Sequence, residues 1–561
     1  MTSNSLREKF LSFFEKRGHK IVPSSSILPS DPSVLFTTAG MQQFKPYYLG
    51  EKSPYGKNVV SCQKCFRTSD IEEVGDERHL TFLEMLGNFS FGGYFKEEAI
   101  KLAFEFLFQE LKLPLENASF TVFKGDKEVP ADEESIKIWK SLGVSENKIK
   151  KAGRADNFWG PTGKEGPCGP TTEIHFNEVE LWNLVFNEYY QDEKGGLTSL
   201  KQKGVDTGMG LERLTMICQG KSSLYETDLF EPIIEKLEFK NYGLEKIKAQ
   251  RIIADHIKGA VFLISEGVFP SNLEKGYVLR RILRRAIRYG KLLNLPKNFL
   301  IFLAQKVIEL YKEVYPEVKS GEADILTVIQ NEEEKFEKTL NQGLKQFEKI
   351  TKKGEISGID AFHLFDTYGF PLELTKELAR ERNLRVDEKG FQVAFEKHRE
   401  ISRSGAEKKF GGIGKEATYE ATKLHTATHL LHAALREILG ENVKQMGSDI
   451  TPQRLRFDFS HSRKLTEEEI KKINNLVNRK IKEDLEVKRE EMSYLEAIKS
   501  GALAFFKERY PEKVTVYSIG NFSKEICAGP HVKRTSELGN FKIIKEESCG
   551  AGTRRIRAIL K

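Results

Sequence analysis

The chain has 561 residues, which at about 150 residues per domain suggests three or four domains. With 89 Lys and Arg against 82 Asp and Glu, a formal net charge of +7 and 39% hydrophobic residues, it has the composition of a folded globular protein. Disorder is excluded, no apolar run is long enough to span a bilayer, and six cysteines in such a length do not make a disulfide framework. In chain order, Leu6 to Gly18 reads as an amphipathic helix. Glu8 and Glu15 interrupt its apolar residues, so it is not a secretory leader, and a cytoplasmic protein is expected. Residues 1–240 mix short β-like runs (Leu35-Phe36, Thr121 to Phe123, Ile174 to Phe176) with helical patterns and many glycines. Residues 241–403 turn to long helical patterns, as in Ala249 to Glu266 and Ile325 to Glu348. A glycine-rich stretch within 404–422 reads as a linker, and 423–561 is again mixed. The expected fold class is therefore α+β multidomain, with no internal repeat.

Charge is unevenly placed. Tyr277 to Gly290 carries Arg280, Arg281, Arg284, Arg285 and Arg288 at helical spacing, with Val278, Ile282, Leu283, Ala286 and Ile287 free to form a buried face. Such a stripe suits a phosphate backbone, although a solvated or salt-bridged face is the commoner outcome.

Three segments point to a nucleotide site. Val59 to Arg67 reads as a strand ending on an arginine, and Arg78 to Gly87 as a second strand after a charged turn. Val205 to Arg213 spaces glycines closely enough for backbone to approach a ligand, with Arg213 at the start of a helix. Together with Pro32 to Met41, Phe44-Lys45, Glu84 to Gly92, Gly166 to Glu173 and Leu181 to Phe186, these resemble the catalytic core of class II aminoacyl-tRNA synthetases, and specifically the alanyl-tRNA synthetase family.

The resemblance implies an antiparallel-sheet catalytic domain that joins L-alanine to tRNA(Ala) through an alanyl-adenylate, using ATP and Mg2+. By it, Arg67 stabilises the α-phosphate and Arg213 holds the far phosphates, which is electrostatic catalysis with positioning. Asp206 pairs with the substrate ammonium, and Trp159, Met85 and Val185 wall a small pocket. Asn183 and Gly208 sit at matching positions. His79 is the histidine paired with the motif arginine, and the adenine contact falls to Phe82 or Leu83. Cys62-Gln-Lys-Cys65 has half-ribbon spacing but no second pair, and reads as two strand residues.

Phe269 to Asn272, followed by Gly276 to Arg281, resembles the family's helical tRNA-recognition domain, as does Phe365 to Pro371. By that resemblance Asn272 and Asp366 clasp a G·U pair in the acceptor stem, whose shallow minor groove exposes an amino group. Arg281, Arg284 and Arg285 are expected along the RNA path, with binding that weakens steeply in salt.

His425-Thr-Ala-Thr-His429 places two imidazoles one helical turn apart, and Cys527-Ala-Gly-Pro-His531 adds a thiolate and a third imidazole, a tetrahedral N/S set for Zn2+. His432 continues the helix face and reads as a supporting or core residue. With Gln445 to Ser448, Arg456 to His461 and Gly550 to Arg555, this region resembles the family's α+β editing domain. Hydrolysis of Ser-tRNA or Gly-tRNA is implied, because a pocket excludes a missing methyl or an added hydroxyl weakly. Gln445 is the expected water or substrate positioner. The usual Cys-Gly-Gly-Thr-His is Cys-Ala-Gly-Pro-His here, which loses a hydroxyl beside the metal.

Only 59 positions separate Asp366 from His425, too few for the β-barrel expected there, and the C-terminal oligomerisation module is not found. A monomer is expected, from either a natural minimal form or a shortened chain. Two other classes compete: a synthetase-like RNA-binding or regulatory protein, and a deacylase alone. The presence of Arg67, Asp206 and Arg213 argues against both.

Overall fold

The computed structural model describes residues 1–561 except 32, 238–242, 353, 408–417, 462, 505–512 and 551. Pro32, most of the glycine-rich linker and Ala551 therefore lie outside the described residues. The chain divides into two compact units, Met1–Val268 with Asn272–Glu333, and Phe269–Ser271 with Glu334–Lys561.

The first unit is built on a nine-stranded sheet: β1 (Lys20–Ile21), β2 (Asn58–Phe66), β3 (Phe82–Phe91), β4 (Ala118–Phe123), β5 (Ile149–Ala152), β6 (Phe158–Trp159), β7 (Gly166–Phe176), β8 (Val179–Gln191) and β9 (Leu197–Gly210). Its order is β1-β2-β3-β9-β8-β7-β4-β5, with β6 on β7. The centre is antiparallel, as expected, while the outer pairs β1·β2 and β4·β5 are parallel. β3 starts later than the sequence suggested because Asp76 accepts hydrogen bonds from the Arg78 and His79 amides and holds the chain in a turn.

Side-chain alternation gives the sheet two faces. On one, Leu86, Trp182, Leu184, Phe186 and Met209 pack with Phe10 and Phe14 of the helix Ser3–Glu15. On the other, Met85, Phe89 and Cys65 pack with Met41, Phe44 and Tyr48, and the partly exposed Leu83 and Trp159 join them. Cys62 and Cys65, three apart on a strand, fall on opposite faces, which rules out shared metal ligation.

Behind the sheet lies a buried charged network. Arg7 grips Glu84 through two hydrogen bonds of 2.9 and 2.8 Å, and Tyr315 donates to the same carboxylate at 2.8 Å. Glu212, on the helix Leu211–Cys218 that carries Arg213, accepts from the Glu84 amide and from Lys258 Nζ at 2.9 Å. Removing one member of such a pair leaves a buried charge. Arg7→Ala is therefore expected to cost about 3–5 kcal/mol, measured by chemical denaturation, and a loss under about 1 kcal/mol would show that the pair is dispensable.

In the second unit, β10 (Gln445–Thr451), β11 (Arg454–Ser460), β15 (Phe541–Gly550) and β16 (Thr553–Leu560) form an antiparallel sheet ordered β10-β11-β16-β15. A smaller sheet joins β12 (Val487–Ser493), β13 (Lys513–Ile519) and β14 (Ser523–Ile526). Leu424, Leu430, Leu431 and Leu435 of the helix Tyr419–Leu439 pack on Phe457, Phe459 and Ile556 of the larger sheet. Among the described residues no helix is long and apolar enough to cross a membrane.

Candidate active sites

Strand register assembles the first site. Asn183 pairs with Gly208 and Val185 with Asp206 across β8 and β9, while Gly210 pairs with Met85 on β3. Met85 pairs with Gln63, and Leu83 with Cys65, two residues before Arg67. All these residues share one face, so the sequence-predicted Asp206, Gly208, Asn183, Val185 and Met85 are brought together there.

The electrostatics of that face are specific. Asp206 is 5% exposed, and burial raises its carboxyl to about pKa 7. Its oxygens accept no hydrogen bond from the described residues, although the nearest strands supply none of the positive charge a buried carboxylate needs. A Cβ on Gly208 would sit 3.0 Å from Met85 Sδ, so glycine keeps the pocket floor open. Asn183 donates to Glu173 Oε1 at 3.2 Å, and its own Oδ1 is buried without a partner. Arg67 Nε lies 3.4 Å from the Thr38 carbonyl, and Arg213 Nη1 donates to the Glu180 carbonyl at 2.7 Å. His79 is on the loop, donating from Nδ1 to Asp76.

Phe82 is a correction. Its ring is fully buried and stacks on Phe262 at 3.9 Å between centroids, on the face opposite Met85. No ring face remains for a base. Adjacent strand residues point to opposite sides, and it is Leu83 that faces the site.

The second site lies in the other unit. His425, His429, Cys527 and His531 bring one ligand atom each within 4.8 Å of one another. His425 Nδ1 donates to the Pro530 carbonyl at 3.0 Å, His531 Nδ1 contacts Thr426 Oγ1 at 3.1 Å, and His429 Nδ1 lies 3.5 Å from Glu525 Oε2. His425 and His531 thus have their Nδ1 atoms hydrogen-bonded outside the cluster, as outer partners orient metal-ligating histidines, while His429 is approached by the Glu525 carboxylate without a hydrogen bond. Burial, then the neighbouring His429, pushes His425 down to about pKa 3, and burial lowers His429 and His531 as well, so their lone pairs are available. His531 Nε2 is buried without a partner. Three neutral imidazoles and a thiolate suit Zn2+. His432 is not in the set; it hydrogen-bonds Glu525 Oε1 at 2.8 Å. Gln445 begins β10, with Nε2 donating to Ser448 Oγ at 3.2 Å.

The RNA residues divide. Asn272 is exposed, and its Oδ1 accepts from Arg280; Asp366 is exposed in the last turn of the helix Gly358–Tyr368, 3.8 Å from His398. They belong to different units. The arginine stripe requires a second correction. Arg284 and Arg285 are 5% and 6% exposed, the first bonded to Glu332 at 2.7 Å and the second to the Ile71 carbonyl at 2.7 Å. Arg281 pairs with Glu72. Arg284 and Arg285 are occupied internally and Arg281 is engaged at the surface by Glu72, so these three guanidiniums do not form the open stripe that the spacing suggests.

A family described as tRNA synthetases class II (A) matches residues 5–451, and one described as the Threonyl and Alanyl tRNA synthetase second additional domain matches 514–557. The chain is 49% identical to the alanine–tRNA ligase of Borreliella afzelii over 100% of both chains. It is 48% identical to that of Treponema pallidum, over 100% of this chain and 98% of the relative. The chain belongs to the alanyl-tRNA synthetase family. A longer alanine–tRNA ligase, from Dehalococcoides mccartyi, is 40% identical and covered over 80% of its length.

Sequence reasoning missed two supporting carboxylates. Glu173 is held by Thr121 Oγ1 at 3.0 Å, His175 Nε2 at 2.9 Å and Asn183, in register with the site. Its signal was the two-residue spacing from His175 on one strand. Glu525, on β14, stands two residues before Cys527 and approaches both His429 and His432.

Proposed function

We infer that the chain attaches L-alanine to tRNA(Ala) by way of alanyl-adenylate and removes mischarged serine or glycine at its second site. The observation that carries the first half is Asp206, a buried carboxylate without a donor, set on the same sheet face as Asn183, Val185, Gly208 and Met85. An α-ammonium supplies the missing positive charge. Val185, Met85 and Trp159 bound the side-chain pocket, Arg67 stabilises charge on the α-phosphate as the alanine carboxylate attacks, and Arg213 holds the distal phosphates. Mg2+ accompanies the ATP.

At the second site His425, His429, Cys527 and His531 would hold Zn2+, which when bound acts as a Lewis acid or anchors the aminoacyl ester. Glu525, His432 and Thr426 keep the ligands oriented, and Gln445 positions water or substrate. Asn272 and Asp366 read the acceptor stem. The protein works as a cytoplasmic monomer, with residues 1–240 as catalytic domain, 241–403 as recognition domain and 423–561 as editing domain.

The test is alanine-dependent exchange of pyrophosphate into ATP, followed by charging of tRNA(Ala). Exchange requires Arg67, and Arg67→Ala is expected to remove it. A chain that binds tRNA(Ala) but shows no exchange would refute the reading.

A further inference from the structure

The loop between β2 and β3 carries Arg67 at its first position, and its backbone is held by a continuous buried chain of side chains. Thr81, at the far end of the loop, donates its amide to Asp255 Oδ1 at 2.8 Å and its hydroxyl to Asp255 Oδ2 at 2.7 Å. Asp255 Oδ2 is 2.9 Å from His256 Nδ1, and His256 Nε2 is 3.0 Å from Arg285 Nη1. Arg285 then donates to the Ile71 carbonyl at 2.7 Å and the Val74 carbonyl at 3.4 Å, in the middle of the same loop. Thr81, Asp255, His256, Ile71 and Val74 are all fully buried.

One tautomer satisfies the whole chain: neutral His256 with its proton on Nδ1 donates to Asp255 and accepts from Arg285 on Nε2. The loop is thus gripped at its middle and at its end from two helices, Leu244–Ser265 and Glu274–Leu292. Arg67 is coupled directly to the end of the relay, because its amide donates to the Thr81 carbonyl at 2.8 Å. Two outer contacts add to the grip. Arg251 reaches Glu77 at 2.8 Å and the Gly75 carbonyl at 3.3 Å, and Arg281 pairs with Glu72.

We propose that Asp255, His256 and Arg285 are positioning residues that fix the β2–β3 loop, and through Thr81 the Arg67 guanidinium, for attack at the α-phosphate. Burying a histidine, an aspartate and an arginine together is costly unless each is satisfied, and a fully satisfied polar network specifies one geometry. Arginine suits the last position, since its planar fork can meet an imidazole and two carbonyls at once while an ammonium cannot hold that pattern. The role in adenylate formation rests on the reading of Arg67 given above.

The experiment compares Thr81→Val, Thr81→Ser and His256→Ala in the full chain, by pyrophosphate exchange and by hydrogen exchange of the loop amides. Thr81→Val removes only the hydroxyl donor to Asp255, and Thr81→Ser restores it. Misplacing a group by about 1 Å costs on the order of 10²-fold, so His256→Ala is expected to lower kcat by about that factor, with the KM for alanine changed less than about twofold. Thr81→Val should fall between that variant and wild type, and Thr81→Ser should match wild type. Amides of residues 68–80 should lose protection in the two defective variants while the other strands of the sheet keep theirs. Unchanged kcat in Thr81→Val and His256→Ala would overturn the proposal, as would a loss of protection spread evenly over the unit. If His256→Ala does not fold, the Thr81 pair decides. A wild-type chain without exchange activity would instead sink the reading of Arg67, and the loop protection would still report on the relay.

Discussion

Asp206→Asn is expected to lower kcat/KM for alanine in pyrophosphate exchange by about 10²–10³-fold, the cost of deleting one preorganised electrostatic partner. The KM for ATP should change little, because the proposed reading assigns the triphosphate contacts to Arg67 and Arg213. The same carboxylate sets a pH profile. Burial raises it to about pKa 7 in the free protein, so below that pH it is protonated and offers the ammonium no charge. The kcat/KM for alanine should therefore rise about tenfold per pH unit below 7 and level off above it. Bound alanine favours the ionised form, so the limb in kcat should move to lower pH. The stability sign runs the other way. Unfolded Asp206 gives up its proton at about pH 3.9, and the folded chain keeps it until about 7, so the native state binds the extra proton across that interval and stability falls as pH rises through it. Asn at this position should thus raise the melting temperature at pH 8 while activity collapses, a trade between function and stability. A flat kcat/KM profile between pH 5.5 and 8, on the order of two units around that pKa, would remove Asp206 from alanine binding.

Local pattern and strand parity explain what the sequence made visible. The glycines of Val205 to Arg213, the helical spacing of His425 and His429 and the Cys527 to His531 segment are local patterns; strand register sets Asp206 and Gly208 opposite Val185 and Asn183, and the three histidines and Cys527 cluster in the other unit. Phe82 was misplaced because the choice between neighbouring residues on a strand depends on which face is covered. That face is covered by Phe262, 180 positions away. The arginine stripe failed for the same physical reason. Helical periodicity shows that Arg284 and Arg285 lie near one another, but their partners are Glu332 and the Ile71 carbonyl, which no local pattern reveals. Near the end of the chain, Arg555 is bonded to Asp458 at 2.7 Å and Arg557 lies 3.0 Å from Glu547. A net charge of +7 therefore says little about where RNA binds, since the most conspicuous cations are spent on internal carboxylates and carbonyls.

The double variant His425→Ala/His429→Ala is expected to lose bound zinc and to accumulate Ser-tRNA(Ala), while its rate of charging with alanine stays at the wild-type level. The separation follows from the architecture: the four proposed ligand residues come from the helix Tyr419–Leu439 and the segment after β14, in the unit that does not contain Asp206. Glu525→Gln gives a graded version. Its carboxylate bonds His432 and lies 3.5 Å from His429 but is not one of the four proposed ligands, so zinc affinity should fall about 10–100-fold, read by competition with a chelator, with charging again unaffected. Pro530 makes the result informative about this chain in particular. It stands where the family pattern has threonine, yet its carbonyl accepts from His425 Nδ1, so the backbone at that position still orients a ligand after the hydroxyl is lost. Zinc retained with weak serine clearance would assign the lost hydroxyl a part in hydrolysis. Zinc retained after both histidines are removed would mean that the metal is held elsewhere.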